Sequence, residues 1–351
     1  MSDLLDGVNG GLDGESVRAR VLERIRADSR FVLATHEHPD GDALGSLVGM
    51  QELLLALGKD SVMFISPDDL PIPNEYRSFQ LQGAIHAPPA DISERTVVFL
   101  DCGNIDRNSA RILRDGAHLL NIDHHHDNTR FGTLNLVVPD ASCTAEIVWD
   151  LMHGLSVAPT PAMAQALYVG LITDTGRFMY ENTGPRAHLM AAELIEAGVD
   201  VAAVYRRLYE ELPPAKLALL GLALGRLRRF DGGEVTLAAL TAEDFERTGA
   251  EDSHSEGIID QLRAVQGTKV AVLVRELTEG VRKGQWKVSL RATDDDADVS
   301  LIARAQGGGG HRRAAGFSTA LELEELIAIL RAAIAAQLHA GAAEQAPATI
   351  A

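Results

Sequence analysis

The 351-residue chain carries a net charge of −18, with 50 acidic against 32 basic side chains. That excess repels a long polyanion, so long duplex DNA is excluded as a partner, whereas a short phosphorylated ligand held by local arginines and metal ions is not. Hydrophobic residues make up 46% of the chain, enough to build cores in two domains, but no apolar run reaches the ~18–20 residues of a membrane span. Cys102 and Cys143 supply neither a disulfide framework nor zinc spacing, and the acidic start Met1-Ser2-Asp3-Leu4-Leu5-Asp6 shows no basic secretory region, so a cytoplasmic protein with no membrane contact is expected.

In chain order, residues 1–14 are rich in Gly and Asp and are expected to be disordered. A helix is predicted over 15–28, then a strand over 30–35, where Phe31-Val32-Leu33-Ala34-Thr35 forms a short apolar run. His36-Glu37-His38-Pro39-Asp40-Gly41-Asp42-Ala43 follows, leading into a helix over 43–57 closed by Gly58. Pro39 disfavours helical geometry at His38, and Gly41 lets the backbone fold tightly between the two aspartates. The ordinary reading of Asp-Gly-Asp is turn chemistry, with Asp42 as an N-cap.

Strands are predicted over 61–65, 96–100 and 118–122, the second ending in Asp101-Cys102-Gly103-Asn104 and the third in Asp123-His124-His125-His126. Helices follow over 144–153, 163–173 and 185–197, the middle one running into Asp174-Thr175-Gly176-Arg177 and the last with Pro185 near its first position. Residues 198–228 read as a helical linker punctuated by Pro213-Pro214. Strands over 235–240, 269–277 and 286–292, a helix over 299–305, the run Gly307-Gly308-Gly309-Gly310-His311 and an amphipathic helix over 321–338 then make a second domain. The predicted plan is a first domain over 15–197, the linker over 198–228, a second domain over 229–339 and a flexible tail over 340–351. Alternating strands and helices indicate an α/β fold. Its mostly parallel sheet has helices on both faces and is linked to a smaller mixed-sheet α/β domain across a cleft.

The polar clusters fall at the carboxyl ends of strands, where open α/β sheets bind ligands. Each has a bland explanation alone: Asp101 and Asp174 suit caps or turns, and one histidine of the His124-His125-His126 run is a bystander. Together, His36, Asp40, Asp42, Asp101, Asp123, His124, His125 and Asp174 would converge on one sheet edge. Carboxylates and imidazoles without thiolate suit Mn²⁺, Co²⁺ or Fe²⁺ better than Zn²⁺ or Mg²⁺. Five ionised aspartates need compensating cations, and two divalent ions ~3.5–4 Å apart would supply them. Such a pair acidifies a shared water and clamps phosphoryl oxygens for in-line attack, which is phosphoester or phosphoanhydride hydrolysis.

His-Glu-His-Pro-Asp-Gly-Asp-Ala (36–43), Val-Val-Phe-Leu-Asp-Cys-Gly-Asn (97–104), Ile-Asp-His-His (122–125) and Ile-Thr-Asp-Thr-Gly (172–176) resemble the motifs of the DHH phosphoesterase superfamily. Lys287-Val288-Ser289-Leu290-Arg291 and Gly-Gly-Gly-Gly-His-Arg-Arg-Ala-Ala-Gly (307–316) resemble its DHH-associated domain, so the likeness spans roughly residues 20–335. The layout is most similar to nanoRNase/pAp phosphatases. That resemblance implies hydrolysis of short oligonucleotides to mononucleotides and dephosphorylation of 3′-phosphoadenosine 5′-phosphate (pAp), and some relatives act on cyclic di-AMP or its linear product. By motif position, His36, Asp40 and Asp101 would hold one ion. Asp42, Asp101, His124 and Asp174 would hold the other, with Asp101 bridging. His125 would contact the scissile phosphate or assist its charge stabilisation, and Asp123 would orient an imidazole. Mn²⁺ is the first assignment, with Co²⁺ or Mg²⁺ behind it. His38 and His126 add imidazoles without an assigned role. Cys143 stands where relatives tend to carry a small hydroxyl residue, and is expected to be a buried thiol.

In the second domain, successive amides of Gly308, Gly309 and Gly310 are read as an anion-binding nest, with His311, Arg312 and Arg291 adding donors to a phosphate. Arg177, beside Asp174, is a further candidate. Competing readings are a pyrophosphatase or exopolyphosphatase, a single-strand exonuclease, and a nucleotide-binding sensor without turnover. A homodimer is the expected assembly.

Overall fold

The computed structural model describes residues 11–344 apart from 77, 78, 80, 82, 109, 279, 281 and 295. Of the stretches expected to be disordered (1–14) or a flexible tail (340–351), residues 1–10 and 345–351 lie outside the described residues, while 11–14 and 340–344 belong to helices. The chain divides into two compact units, Met1–Glu211 and Leu212–Ala351.

The first unit contains α1 (Gly11–Ala27), β1 (Arg30–Ala34), α2 (Gly41–Ala56), β2 (Asp60–Met63), β3 (Thr96–Leu100), β4 (His118–Asp123) and β5 (Leu134–Val137). These are followed by α3 (Thr144–Gly154), α4 (Pro161–Asp174), α5 (Pro185–Glu196) and α6 (Val201–Tyr205). Its five strands are all parallel, in the order β2-β1-β3-β4-β5. The central strands are continuous apolar runs because both their faces are covered. Phe31, Leu33, Val98, Leu100, Leu120 and Ile122 face the core built with α1 to α4, while Val32, Ala34, Val97 and Phe99 face a smaller core. The helices on that second side are short 3-10 turns, at Ile92–Glu94, Ile105–Arg107 and Arg111–Asp115. β5 escapes the sequence reading because it is an edge strand with only Leu136 fully buried, so its periodicity is weak.

α1 starts at Gly11 rather than at 15, and α2 starts at Gly41. The N-cap of α2 is Asp40, whose Oδ1 accepts the N–H groups of Asp42 (3.1 Å) and Ala43 (3.0 Å), so Asp42 is not the cap. Gly41 is required for a different reason from the turn first assigned to it. A Cβ there would lie 2.4 Å from Thr173 Oγ1, so the glycine permits close approach of α4. The left-handed residue of this loop is His38 (φ 53°), and its N–H donates to Asp69 Oδ1 (2.7 Å).

The second unit contains α7 (Pro214–Gly225), β6 (Arg228–Phe230), β7 (Val235–Leu240), α8 (Ala242–Thr248), α9 (Ile258–Arg263) and β8 (Val270–Glu276). It continues with β9 (Trp286–Ala292), α10 (Val299–Ala305), β10 (Gly309–His311), β11 (Ala314–Thr319) and α11 (Leu323–Glu344). The sheet order is β10-β11-β9-β8-β7-β6, antiparallel except for the β7–β8 pair. One face packs on α10 and α11, and part of the other packs on α7, α8 and α9. No helix among the described residues is long and apolar enough to cross a membrane.

The four-glycine run is not a loop with free amides. Gly307 (φ 77°) ends α10: its N–H bonds Arg304 O (3.0 Å) and the Gly308 N–H bonds Ala303 O (2.9 Å), the pairing of a Schellman cap. A Cβ on Gly308 would lie 2.2 Å from Gly316 O, and Gly310 adopts φ 131°. The run is thus a helix stop followed by a closely packed terminal strand, and the Gly308 amide, one of the three assigned to an anion nest, is spent on the Ala303 carbonyl.

Candidate metal centre

Because β1, β3 and β4 are parallel and adjacent, the residues after their carboxyl ends share one edge of the sheet. This brings His36, Asp101 and the Asp123-His124-His125 segment together, and the first turn of α2 and the last of α4 add Asp40, Asp42 and Asp174. Three groups offer ligand atoms lying within 4.8 Å of one another: His36, Asp40 and Asp101; Asp42, His124 and Asp174; and Asp101, His124 and His125.

Asp101 sits at the centre. It leaves β3 in a left-handed conformation (φ 55°), a costly state for a non-glycine residue that aspartate tolerates better than most. Its carboxylate is buried and faces three rings: His36 Nε2 at 3.6 Å, His124 Nε2 at 3.7 Å and His125 Nδ1 at 3.5 Å. His124 Nε2 is also 3.8 Å from Asp174 Oδ2. These separations exceed good hydrogen bonds. They suit ligands converging on a cation, because two donors each about 2.1 Å from one ion stand roughly 3.0–3.4 Å apart.

Local hydrogen bonds assign the ring nitrogens. His36 Nδ1–H donates to the Glu37 carbonyl (2.7 Å), which leaves Nε2 facing Asp101. His125 Nδ1–H donates to Asp123 Oδ1 (2.7 Å), so that nitrogen is committed and is not a ligand atom. Asp123 also accepts from the His124 N–H (2.9 Å) and from Asn128 Nδ2. Asp42 is buried at the meeting of two helix starts: Oδ2 accepts the Thr144 N–H (2.7 Å) and Oδ1 the Ala145 N–H (2.9 Å) of α3. The Thr144 hydroxyl donates to Asp101 Oδ1 (3.1 Å). Asn182 Nδ2 donates to Asp174 Oδ2 (3.1 Å) and to the Ser142 carbonyl (2.7 Å). Thr144 and Asn182 were not singled out from sequence. The one available signal was Thr144 opening a predicted helix, whose N–H groups attract an anion.

The charges are unevenly settled. Burial opposes ionisation of Asp101, but His36, His125 and His124 outweigh it and hold the carboxyl below its ordinary range. Burial likewise disfavours the charged His125 ring, yet the Asp123 hydrogen bond and the charge of Asp101 raise it to about 9. Burial, then the charges of Asp101, Asp174 and Asp40, push Asp42 up. The protein packed around Asp174 raises it to about 7, against the pull of His124. This acidic cluster lacks enough positive charge of its own, and divalent ions fit the deficit. If Asp174 is one of the ligands, loading would ionise it, so metal binding would release protons below pH 7 and affinity would rise with pH until Asp174 is already ionised. Calorimetric titration of Mn²⁺ in buffers of different ionisation enthalpy is expected to show more release at pH 6 than at pH 8, the difference coming from Asp174. Equal release at both values contradicts this.

The remaining candidates lie elsewhere in the fold. The Arg177 guanidinium stacks over Tyr209 at 4.9 Å, within the first unit. In the second unit, Arg291 is half-buried on β9 with alanines as both cross-strand neighbours, Ala271 and Ala314, and its Nη1 donates to the Leu290 carbonyl (3.1 Å). Gly309, Gly310 and Arg312 are exposed, Gly308 is partly buried, and the His311 side chain lies outside the described part of the structure. His38 and His126 are exposed, and Cys143 is buried with its thiol pushed up by burial.

A parallel-sheet unit with an aspartate-histidine metal centre, joined to a mixed-sheet unit, defines a class of phosphoester hydrolase. Residues 30–171 match the DHH family, N-terminal domain, and residues 233–336 match the DHHA1 domain. The chain belongs to the DHH family and is a metal-dependent phosphoesterase. It is 35% identical to the bifunctional oligoribonuclease and PAP phosphatase NrnA of Thermus thermophilus, over 87% of this chain and 91% of that protein. It is 25% identical to the NrnA of Bacillus subtilis, over 86% and 93%. Among solved structures, an exopolyphosphatase-related protein from Bacteroides fragilis shares the fold at TM-score 0.84 and 23% identity, covering 93% of this chain and 98% of that one.

Proposed function

We propose that this protein hydrolyses short oligoribonucleotides to mononucleotides and removes a phosphate from pAp, with cyclic di-AMP or its linear product as a further substrate. The observation that carries this reading is Asp101, buried among three imidazoles with Asp40, Asp42 and Asp174 around it. Two divalent ions, Mn²⁺ by the chemistry of the donor set, would supply an activated water and a clamp on the phosphoryl oxygens for in-line displacement. His36, Asp40 and Asp101 would hold one, and Asp42, Asp101, His124 and Asp174 the other.

His125 is assigned to the substrate. Its Nδ1–H is tied to Asp123, and a ring raised to about 9 is cationic at neutral pH, suited to a phosphoryl oxygen. Asp123 keeps that ring oriented. In the second unit, Arg291 and the segment Gly308, Gly309, Gly310, His311 and Arg312 around the terminal strand are assigned to the nucleotide end, and Arg177 is kept as an auxiliary contact in the first unit. The net charge of −18 favours short over long substrates.

A substrate panel with Mn²⁺ tests the reading: dinucleotides to pentanucleotides, a 24-mer, pAp, cyclic di-AMP and pyrophosphate. The expected result is fastest turnover of the short oligonucleotides and pAp. Turnover of pyrophosphate alone overturns it. Arg291→Ala is expected to raise KM for dinucleotides about tenfold, the loss of one charge-assisted phosphate contact, with kcat changed little.

A further inference from the structure

Arg107 was not among the residues singled out from sequence, and nothing in the site above uses it. It lies on the 3-10 turn Ile105–Arg107, six residues after Asp101. It is exposed, and its guanidinium has no hydrogen-bond or ion-pair partner among the described residues, in a chain carrying 50 acidic side chains. Other arginines of this unit are committed: Arg95 to Asp91 and Asp60, Arg186 to Glu146, and Arg177 over Tyr209. Asp106, the carboxylate next to Arg107 in the chain, is taken by Arg114 at 2.6 Å.

The turn is fastened to both walls of the metal centre. On one side the Arg107 carbonyl accepts the Glu37 N–H (2.6 Å), and Asn108 Nδ2 donates to the Thr35 carbonyl (2.7 Å), bracketing His36. On the other side the Thr129 N–H donates to the Gly103 carbonyl (2.8 Å), and the Asn128 N–H to the His125 carbonyl (3.2 Å), tying the segment to the loop that carries His125. Within the turn, Asn104 caps by accepting the Asp106 N–H (3.0 Å). The charge of Arg107 acts against protonation of both His36 and His125, one on each wall. A guanidinium borne on a turn fastened beside the metal centre, with its neighbouring carboxylate diverted to another arginine, is left open for an incoming anion.

We propose that Arg107 is a catalytic residue whose guanidinium donates to a non-bridging oxygen of the phosphoryl group under attack. In phosphoryl transfer, charge is spread over those oxygens in the transition state, and a fixed fork of donors stabilises it there. The inference rests on the phosphoesterase reading above and adds a protein-borne positive charge to the one that metal ions would supply.

The test compares the full-length wild type with Arg107→Ala and Arg107→Lys in Mn²⁺. Arg107→Ala is expected to lower kcat on a dinucleotide about 100-fold, the usual effect of losing one transition-state donor. Its Mn²⁺ affinity and melting temperature should match wild type, because the side chain is exposed and is not a ligand. Arg107→Lys should recover only part of the rate, since an ammonium lacks the fork. A kcat for Arg107→Ala within about threefold of wild type overturns the proposal. If the wild type turns over neither oligonucleotide nor pAp, the proposed function falls. Arg107 is then judged by calorimetric titration of inorganic phosphate into Mn²⁺-loaded protein. An affinity about tenfold weaker in Arg107→Ala supports the contact, and an equal affinity overturns it.

Discussion

Asp101→Asn is expected to lower turnover of any substrate by about three orders of magnitude, the scale on which electrostatic and metal-borne stabilisation act. Asparagine is the informative replacement because, like aspartate, it tolerates the left-handed backbone that residue 101 adopts at φ 55°. Alanine would add backbone strain to the loss of charge and confuse the two. The variant keeps the size of the side chain and an acceptor for the Thr144 hydroxyl, but it no longer supplies a negative charge to the three imidazoles. The fold should therefore survive while metal binding weakens. Thermal unfolding separates these effects: Mn²⁺ is expected to raise the melting temperature of wild type by linkage and that of the variant much less. Full activity with the same Mn²⁺-induced shift would remove Asp101 from the centre of the site.

The second large effect concerns packing rather than chemistry. Gly45→Ala places a Cβ 2.5 Å from Ala166 O and 2.9 Å from Gly170 N, both backbone atoms of α4, so no side chain can swing aside. Helix propensity alone would favour alanine by ~1 kcal/mol, but separating two close-packed helices costs ~1–3 kcal/mol or more. The steric effect wins at this distance, and a net destabilisation of about 2 kcal/mol is expected from denaturant unfolding. Activity should fall too, because Asp42 lies one turn before Gly45 on α2 and Asp174 one turn after Gly170 on α4. Gly221 is the internal comparison. It sits within α7, and a Cβ added there would meet nothing within 4 Å, so Gly221→Ala should be neutral or stabilising by up to ~1 kcal/mol. Equal behaviour of the two alanine variants would refute the close-packing account.

Much of the first unit was legible because its signals are local. A buried parallel strand reads as an apolar run, and β1, β3 and β4 each show one within a residue or two of their observed limits. The acid and imidazole residues that follow those runs were legible for the same reason: their position at strand ends is a matter of a few residues of chain. β5 was hidden because an edge strand needs little apolar sequence, and Asp40 rather than Asp42 caps α2 because the capping oxygen is chosen by backbone geometry two and three residues ahead. The glycine run illustrates a different limit. Four glycines specify permissiveness, and only their surroundings give them separate tasks: Gly307 as a helix stop, Gly308 against Gly316 O, and Gly310 at φ 131°.

By itself, the sequence determined the alternation of strands and helices, the two-part organisation of α/β character, and a set of oxygen and nitrogen donors suited to divalent ions. Those properties depend on residue type and on periodicities of two to four residues, which are written directly in the chain. The tertiary structure decided what each polar atom does. It committed His125 Nδ1 to Asp123, spent the Thr144 and Ala145 amides on Asp42, bonded the Thr144 hydroxyl to Asp101, and fastened the Arg107 backbone between the loops of His36 and His125 while leaving its guanidinium without a hydrogen-bond or ion-pair partner among the described residues. The longest of these contacts join residues more than 100 positions apart, such as Asp42 and Thr144. Their distances follow from parallel strand register and helix packing, which no local pattern in the chain encodes.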